Sequence, residues 1–250
     1  MLSPTSPALL PANKANETQR LQSLRAYNLL HTPPERVFAE LVALSAHVFS
    51  LPVSLLAFVE ADEVVYKANY GLPGLRGLPR AETFCDIAIC QNKCVVFWDV
   101  DQAQHALLTE AAVAAVRAKG VRFYAGTPLR LPDAQTVGTL CVAGYEPRSF
   151  NAQEQHLLEH LAQVVELLIV ARHACLTNRG LGWAHWGRLE DQLAEQVQTL
   201  GTWVQQQLAP FGAPLLAATP GVLVQVQQRL HELHEVLQEY QPASAAHPQG

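Results

Sequence analysis

Five cysteines are the residues of this chain best equipped for chemistry. Three of them, Cys85, Cys90 and Cys94, fall within ten residues, and Cys141 and Cys175 follow downstream. Thiols this close could bind a metal or a cluster, or cycle through a disulfide. The spacing argues against it. Four and three intervening residues do not make a CxxC knuckle. On a helix, Cys85 and Cys90 stand about 140° apart around the axis, so they share no face. Cys94 begins a predicted strand. The sequence therefore reads these three as separate buried thiols acting as small hydrophobes, with no metal site. An odd cysteine count without an export signal points to reduced thiols in the cytoplasm.

His231-Glu232-Leu233-His234-Glu235 is the second stretch to weigh. A zinc protease helix needs His-Glu-x-x-His, with histidines four apart on one face. Here they are three apart. A phosphoacceptor helix would carry a proline a few residues after the His-acid pair, and none precedes Tyr240. The stretch reads as a solvated helix face beside a leucine seam. No P-loop, Gly-x-Gly-x-x-Gly or Gly-x-Ser-x-Gly motif occurs.

The elements that would position such residues follow from periodicity. Hydrophobic residues make up 49% of the 250, enough for a packed core. The 17 basic and 22 acidic residues leave a net charge of −5 without a basic run, which argues against nucleic acid or an anionic membrane as partner. Gln196 to Gln228 is uncharged, but its most apolar part holds Pro210, Pro214 and Pro220 and falls short of the ~20 residues of a membrane helix. Residues 1–15 and 241–250 read as loose tails. Asn16 with Gln19, and Thr32 with Glu35, have capping-box spacing and predict two helix starts. Strands are predicted over Val53–Glu60 and Val64–Tyr70, a loop over 71–81, a short helix from Thr83 through Cys90, and a short strand from Cys94 to Trp98. An alanine-rich helix follows from Leu107 to Lys119, stopped by Gly120.

Residues 122–142, Arg-Phe-Tyr-Ala-Gly-Thr-Pro-Leu-Arg-Leu-Pro-Asp-Ala-Gln-Thr-Val-Gly-Thr-Leu-Cys-Val, predict two strands around a tight turn. Gly126 and Gly138 inside them mark a bulge or a close approach. Asn151 with Glu154 caps a long helix. The order gives an α+β fold, an antiparallel β-sheet flanked by helices. The 122–142 pair, together with Thr83-Phe84-Cys85-Asp86-Ile87-Ala88-Ile89, resembles a GAF domain of the type found ahead of bacterial histidine kinases and cyclic-nucleotide enzymes, over residues 16–176.

That resemblance implies a ligand pocket between the sheet and the short helices. Its wall would include Phe84, Cys85, Asp86 and Ile89, with Asp99 at an acidic position of the family. Phe123, Tyr124 and Thr127 would line the floor, with Thr139 and Cys141 across from them. Strand alternation puts Arg122 and Tyr124 on one face and Phe123 and Thr127 on the other. The motif favours Tyr124 inward, which would bring Arg122 with it toward an anion. Relatives commonly close the pocket with an Asp-x-Arg-Phe turn. This chain has Asp101-Gln102-Ala103-Gln104-His105-Ala106 instead. The GAF-fold sulfoxide reductases use pocket cysteines, yet the 122–125 strand lacks the third. Bilin-binding relatives place His after the linking Cys, and here Asp86 follows Cys85.

The helix after Asn151 alternates four- and three-residue spacings at Leu157, Leu161, Val164, Leu168, Ala171 and Cys175, a heptad seam. In GAF proteins such a helix commonly pairs with a dimer mate, so Leu157, Leu161, Val164, Leu168 and Cys175 are the expected homodimer contacts. Leu158, Val165 and Ile169 give it a second apolar edge. A linker over 177–182 leads to two further one-sided helices within 183–240, a predicted antiparallel α-helical hairpin. It must pack on the domain or on another hairpin. The sequence thus predicts a cytoplasmic regulatory sensor that binds a small molecule of unknown identity, uses an unknown cofactor if any, and signals through its C-terminal helices to a partner such as a histidine kinase, without an output enzyme of its own. An adaptor with a vestigial pocket is the alternative, and a thiol-based sulfoxide reductase the third.

Overall fold

A computed structural model describes residues 14–30, 32–103, 108–178, 180–208 and 220–240. His105, nearly all of the two predicted tails and the connection over 209–219 lie outside them. Two helices open the chain, α1 (Lys14–Ala26) and α2 (Arg36–Phe49). Strands β1 (Val53–Val59) and β2 (Glu63–Tyr70) follow, then β3 (Gly77–Pro79) and a 3₁₀ turn at Arg80–Glu82. The predicted 71–81 loop therefore holds a short edge strand, because Val64 and Val65 offer it a backbone ladder. Next come α3 (Cys85–Gln91), β4 (Val95–Phe97), α4 (Glu110–Ala118), β5 (Phe123–Arg130) and β6 (Thr136–Gly144). Three helices close the chain, α5 (Ala152–Thr177), α6 (Gly182–Leu208) and α7 (Pro220–Gln238).

The six strands form one antiparallel sheet in the order β3-β2-β1-β6-β5-β4. β1 and β6 are buried along their whole length, which explains their near-continuous apolar sequences: both sheet faces are covered. Gly138 of β6 is required by close approach. A Cβ there would stand 2.1 Å from the Ala57 carbonyl oxygen of β1.

One sheet face carries α3 and α4 over a smaller core of Phe84, Phe97, Tyr124, Cys141 and their neighbours. The other carries α2 and α5, and α6 and α7 pack onto those. α5 begins with the predicted capping box: the Asn151 side chain accepts from Glu154 N at 3.0 Å, and Asn151 N donates to Glu154 at 2.9 Å. Two other predicted caps are not formed. Asn16 lies inside α1. α2 starts at Arg36, where Glu35 makes no cap bond and Thr32 instead receives a bond from Lys67 Nζ at 2.5 Å.

The α6–α7 hairpin is antiparallel, since His185 near its start meets Tyr240 at its end, ring nitrogen to hydroxyl at 3.3 Å. It packs on its own chain. Glu190 of α6 accepts from Val37 N, an orphan donor in the first turn of α2, at 2.7 Å. The apolar stripe of α6, from Trp186 to Leu208, and that of α7, from Val222 to Leu237, are buried in the main core. The α5 seam meets the same fate. Leu157, Leu161, Val164, Leu168 and Cys175 are all at most 1% exposed within a single chain. The expected dimer contacts are corrected accordingly. The heptad spacing is real, but α7, α6 and α2 occupy the surface it offers.

Candidate functional site

The register of β5 and β6 builds the site. Tyr124 pairs with Ala143 and Gly126 with Cys141, so these four share one face. Phe123, Ala125 and Thr127 take the opposite face, where Phe123 and Ala125 join the helix-side core. Tyr124 thus points inward as the motif implies, and its side chain lies back along its own strand. A Cβ on Gly126 would sit 2.3 Å from the Tyr124 hydroxyl, so the missing side chain is what gives the phenol its place.

Above this floor, α3 supplies Phe84 and Cys85. The Phe84 ring stands edge-on to Phe97 and Tyr124, with centroids 5.0 and 5.4 Å away. Three aromatic rings therefore fill the space between helix and sheet. What remains is a cavity of about 50 Å³, lined by Leu55, Tyr66, Phe84, Cys85, Tyr124 and Cys141, with Leu72, Leu75, Val116 and Lys119 closing it from the 71–79 segment and α4. A drug-sized ligand needs roughly 300 Å³ or more. A larger concavity of about 910 Å³ lies between α6 and α7 and is lined mostly by glutamines, Glu195, Arg229 and Glu232. Among the described residues it gathers no cysteine or histidine.

The polar groups at the centre of the cavity wall are the Cys85 and Cys141 thiols and the Tyr66 and Tyr124 phenols. The Tyr124 hydroxyl donates to Cys85 Sγ at 3.9 Å. The Cys85 and Cys141 thiols lie against each other within hydrogen-bonding reach. Contact with Cys141 pushes the Cys85 thiol below its ordinary value despite complete burial, and the same contact pushes Cys141 well up. Burial, with the two thiols nearby, raises both Tyr66 and Tyr124. Glu82 and Lys119 also stand in the cavity wall, and the groups in contact with the thiols are the Tyr124 hydroxyl and each other, so the cluster offers thiol chemistry.

Of the ten ligand positions expected from sequence, Phe84, Cys85, Tyr124 and Cys141 line the cavity, and Thr139 is buried two residues from Cys141 on the same strand face. The other five are placed elsewhere. Asp86 turns outward to Arg80, whose guanidinium also holds Glu17 at 2.6 Å. Burial alone would raise Glu17, but hydrogen bonds from Arg20 and Arg80 hold it at about 2. Ile89 packs with Val59 and Val64. Thr127 stands opposite Leu140 on the helix side of the sheet. Asp99 and Arg122 pair with each other at 2.9 Å, and Arg122 also reaches Asp101 at 3.0 Å. Arg122 precedes the strand, so alternation did not bind it to Tyr124. The expected anion contact at Arg122 is already supplied by two carboxylates of the chain itself.

Sequence reasoning missed Tyr66, Leu72, Leu75, Val116 and Lys119. Tyr66 was discoverable, since it sits mid-strand opposite Ala57, but the loop and helix residues carry no local pattern pointing to a cavity. α5 is long and apolar enough to cross a membrane by composition, and most of its apolar window is buried inside the protein.

Comparison with known proteins gives the same outline. The cyclic di-GMP phosphodiesterase PA2567 of Pseudomonas aeruginosa is 29% identical over 156 residues, covering 62% of this chain and 26% of that protein. The chain thus spans about a quarter of the length of that relative. Among solved structures, the GAF domain of an Acinetobacter phosphoenolpyruvate-protein phosphotransferase is 14% identical over 64% of this chain and 96% of that one, with a TM-score of 0.45. The free methionine-R-sulfoxide reductase of Neisseria meningitidis is 20% identical over 66% and 94%, with a TM-score of 0.42. A family model described as a GAF domain matches residues 31–170, more than half of the chain, and this protein is a member of the GAF domain family.

Proposed function

We propose that this chain is a regulatory sensor-type module of cytoplasmic signal transduction that acts through protein contact and catalyses no reaction of its own. The observation that carries the reading is the filled cavity: Phe84, Phe97 and Tyr124 leave about 50 Å³, room for molecules of water size and not for a nucleotide. This favours the adaptor reading over a ready-made metabolite site. β5 and β6 carry the cavity on one face and the helix layer on the other, so a change at Tyr124 or Cys141 is one residue from Phe123 or Val142 in the helix-side core. The output partner is a second signalling protein such as a histidine kinase, or another copy of the chain meeting a face other than the α5 seam. The likeness to the phosphodiesterase covers 26% of that protein and supports a shared module.

A thermal-shift screen of the reduced protein tests this. Cyclic nucleotides, cyclic di-GMP and a broad metabolite set should leave the melting temperature unchanged. A ligand at a hundredfold its Kd would add about 2.7 kcal/mol, a shift of several degrees. Such a shift, abolished by filling the cavity with Cys141→Phe, would instead establish a metabolite sensor.

A further inference from the structure

The thiols of Cys85 and Cys141 have no part in the module as described, yet the fold brings them together. Cys141 sits on β6 between Leu55 of β1 and Gly126 of β5. Cys85 opens α3 directly above it, and both line the same small cavity. Because Gly126 lacks a side chain, the Tyr124 phenol folds over it and reaches both thiols. The remaining cysteines are differently placed. Cys90 lies on the outer side of α3, its thiol 3.8 Å from the Asp86 carboxylate. Burial and Asp86 push it up to about 11, and burial with Glu159 pushes Cys94 up to about 12. Cys175 is enclosed in the helix layer.

We propose that Cys85 and Cys141 are a peroxide-oxidisable dithiol, converted by hydrogen peroxide to a disulfide that ties α3 to β6. The proposal rests on the sensor-type reading above and names what the small cavity admits. A cavity of about 50 Å³ passes a molecule near the size of water and excludes glutathione or a protein thiol. Cys85 is the attacking sulfur, since its thiolate receives the Tyr124 hydroxyl bond and the contact of Cys141. It attacks one peroxide oxygen, the O–O bond breaks, and an S–O bond forms. The leaving hydroxide takes the proton given up by Cys85 and departs as water. The Cys141 sulfur then attacks the sulfenic sulfur of Cys85. The S–S bond forms, the S–O bond breaks, and the second hydroxide leaves as water with the Cys141 proton. Two thiols lose two electrons in total, and one peroxide becomes two waters.

The experiment uses the full chain carrying Cys90→Ser, because Cys90 shares the tryptic peptide 81–93 with Cys85. The reduced protein is treated with hydrogen peroxide, alkylated in denaturant, digested and analysed by mass spectrometry. The expected product is a reducible cross-link between peptides 81–93 and 131–148, at full yield in Cys94→Ser and absent in Cys85→Ser and in Cys141→Ser. Circular dichroism of the serine variants checks their folding, and the Cys90→Ser protein alone decides the main outcome. Full alkylation of both thiols after peroxide would overturn the proposal. So would sulfinic acid at Cys85 without a cross-link. Either failure leaves the metabolite screen on reduced protein to judge the module reading separately.

Discussion

Arg172 of α5 donates through Nε to Glu35 Oε1 at 2.7 Å, with its side chain wholly enclosed. The same oxygen accepts from Trp186 Nε1 of α6 at 2.8 Å, and Lys67 Nζ of β2 stands 2.7 Å from the other oxygen. One carboxylate thus joins the sheet, the domain helix and the C-terminal hairpin just ahead of α2. Glu35→Ala would leave a buried guanidinium without a counter-ion, at a cost of about 3–5 kcal/mol. Trp186→Phe loses one hydrogen bond and should cost about 1 kcal/mol or slightly more. Urea unfolding measures both. A Glu35→Ala cost no larger than that of Trp186→Phe would show that the carboxylate does not organise the junction.

Tyr124 and Gly126 should be energetically coupled. Gly126→Ala places a methyl group against the Tyr124 hydroxyl and ring, with Cζ 2.7 Å away. Both are buried, so the ring must move within a packed core, which costs about 1–3 kcal/mol. In a Tyr124→Leu background that obstacle is gone and Gly126→Ala should cost well under half as much. Equal costs in the two backgrounds would place the requirement for glycine in the backbone and not in the phenol.

Local signals in the sequence carried the strands and the start of α5. Asn151 and Glu154 lie three residues apart and bond each other, so spacing alone revealed them. The inward turn of Tyr124 was also legible, from the motif and the period of two. The Glu35 junction was not. Its partners Lys67, Arg172 and Trp186 are spread over more than a hundred residues, and Glu35 three places after Thr32 imitates a capping box. Arg122 failed for a related reason, because a guanidinium ahead of a strand follows its nearest carboxylates and not the strand's alternation. The seam from Leu157 to Cys175 shows a further limit. Periodicity says that one helix face is apolar, but not which surface covers it.

Substitutions in that seam now have a definite expected outcome. Leu161 and Leu168 are buried between α5 and its own chain. A glutamate at either site would bury a charge without a partner, a loss on the order of 4 kcal/mol or more. The Leu161→Glu, Leu168→Glu double variant should therefore lose its folded circular-dichroism signal or aggregate. A well-folded monomer from that variant, with the unaltered chain dimeric in light-scattering chromatography, would return the seam to a dimer interface.

Acid should loosen the helix layer. Burial pushes His47, His160 and His173 below the ordinary imidazole value, with His234 and His231 of α7 adding to the effect at His160, and Arg172 at His173. His47 lies between α2 and α6, its ring nitrogen 2.7 Å from the Gln205 amide, and the His160 ring faces that of His234 at 6.3 Å. Each histidine is held neutral in the fold and binds protons more readily once unfolded. Below about pH 6.5 the unfolded state therefore takes up more protons, and stability falls as pH falls. Above that value their contribution is fully present. Glu166 acts in the opposite sense. Burial raises it to about 6, so its protonation below that pH favours the fold. The melting temperature should thus drop between about pH 7 and about pH 5, and drop further in Glu166→Gln, which removes the opposing group. His160→Leu should reduce the drop, since it removes the imidazole that α7 crowds with two others. A melting temperature that stays constant on acidification in Glu166→Gln would show that these histidines titrate alike in the folded and unfolded chain.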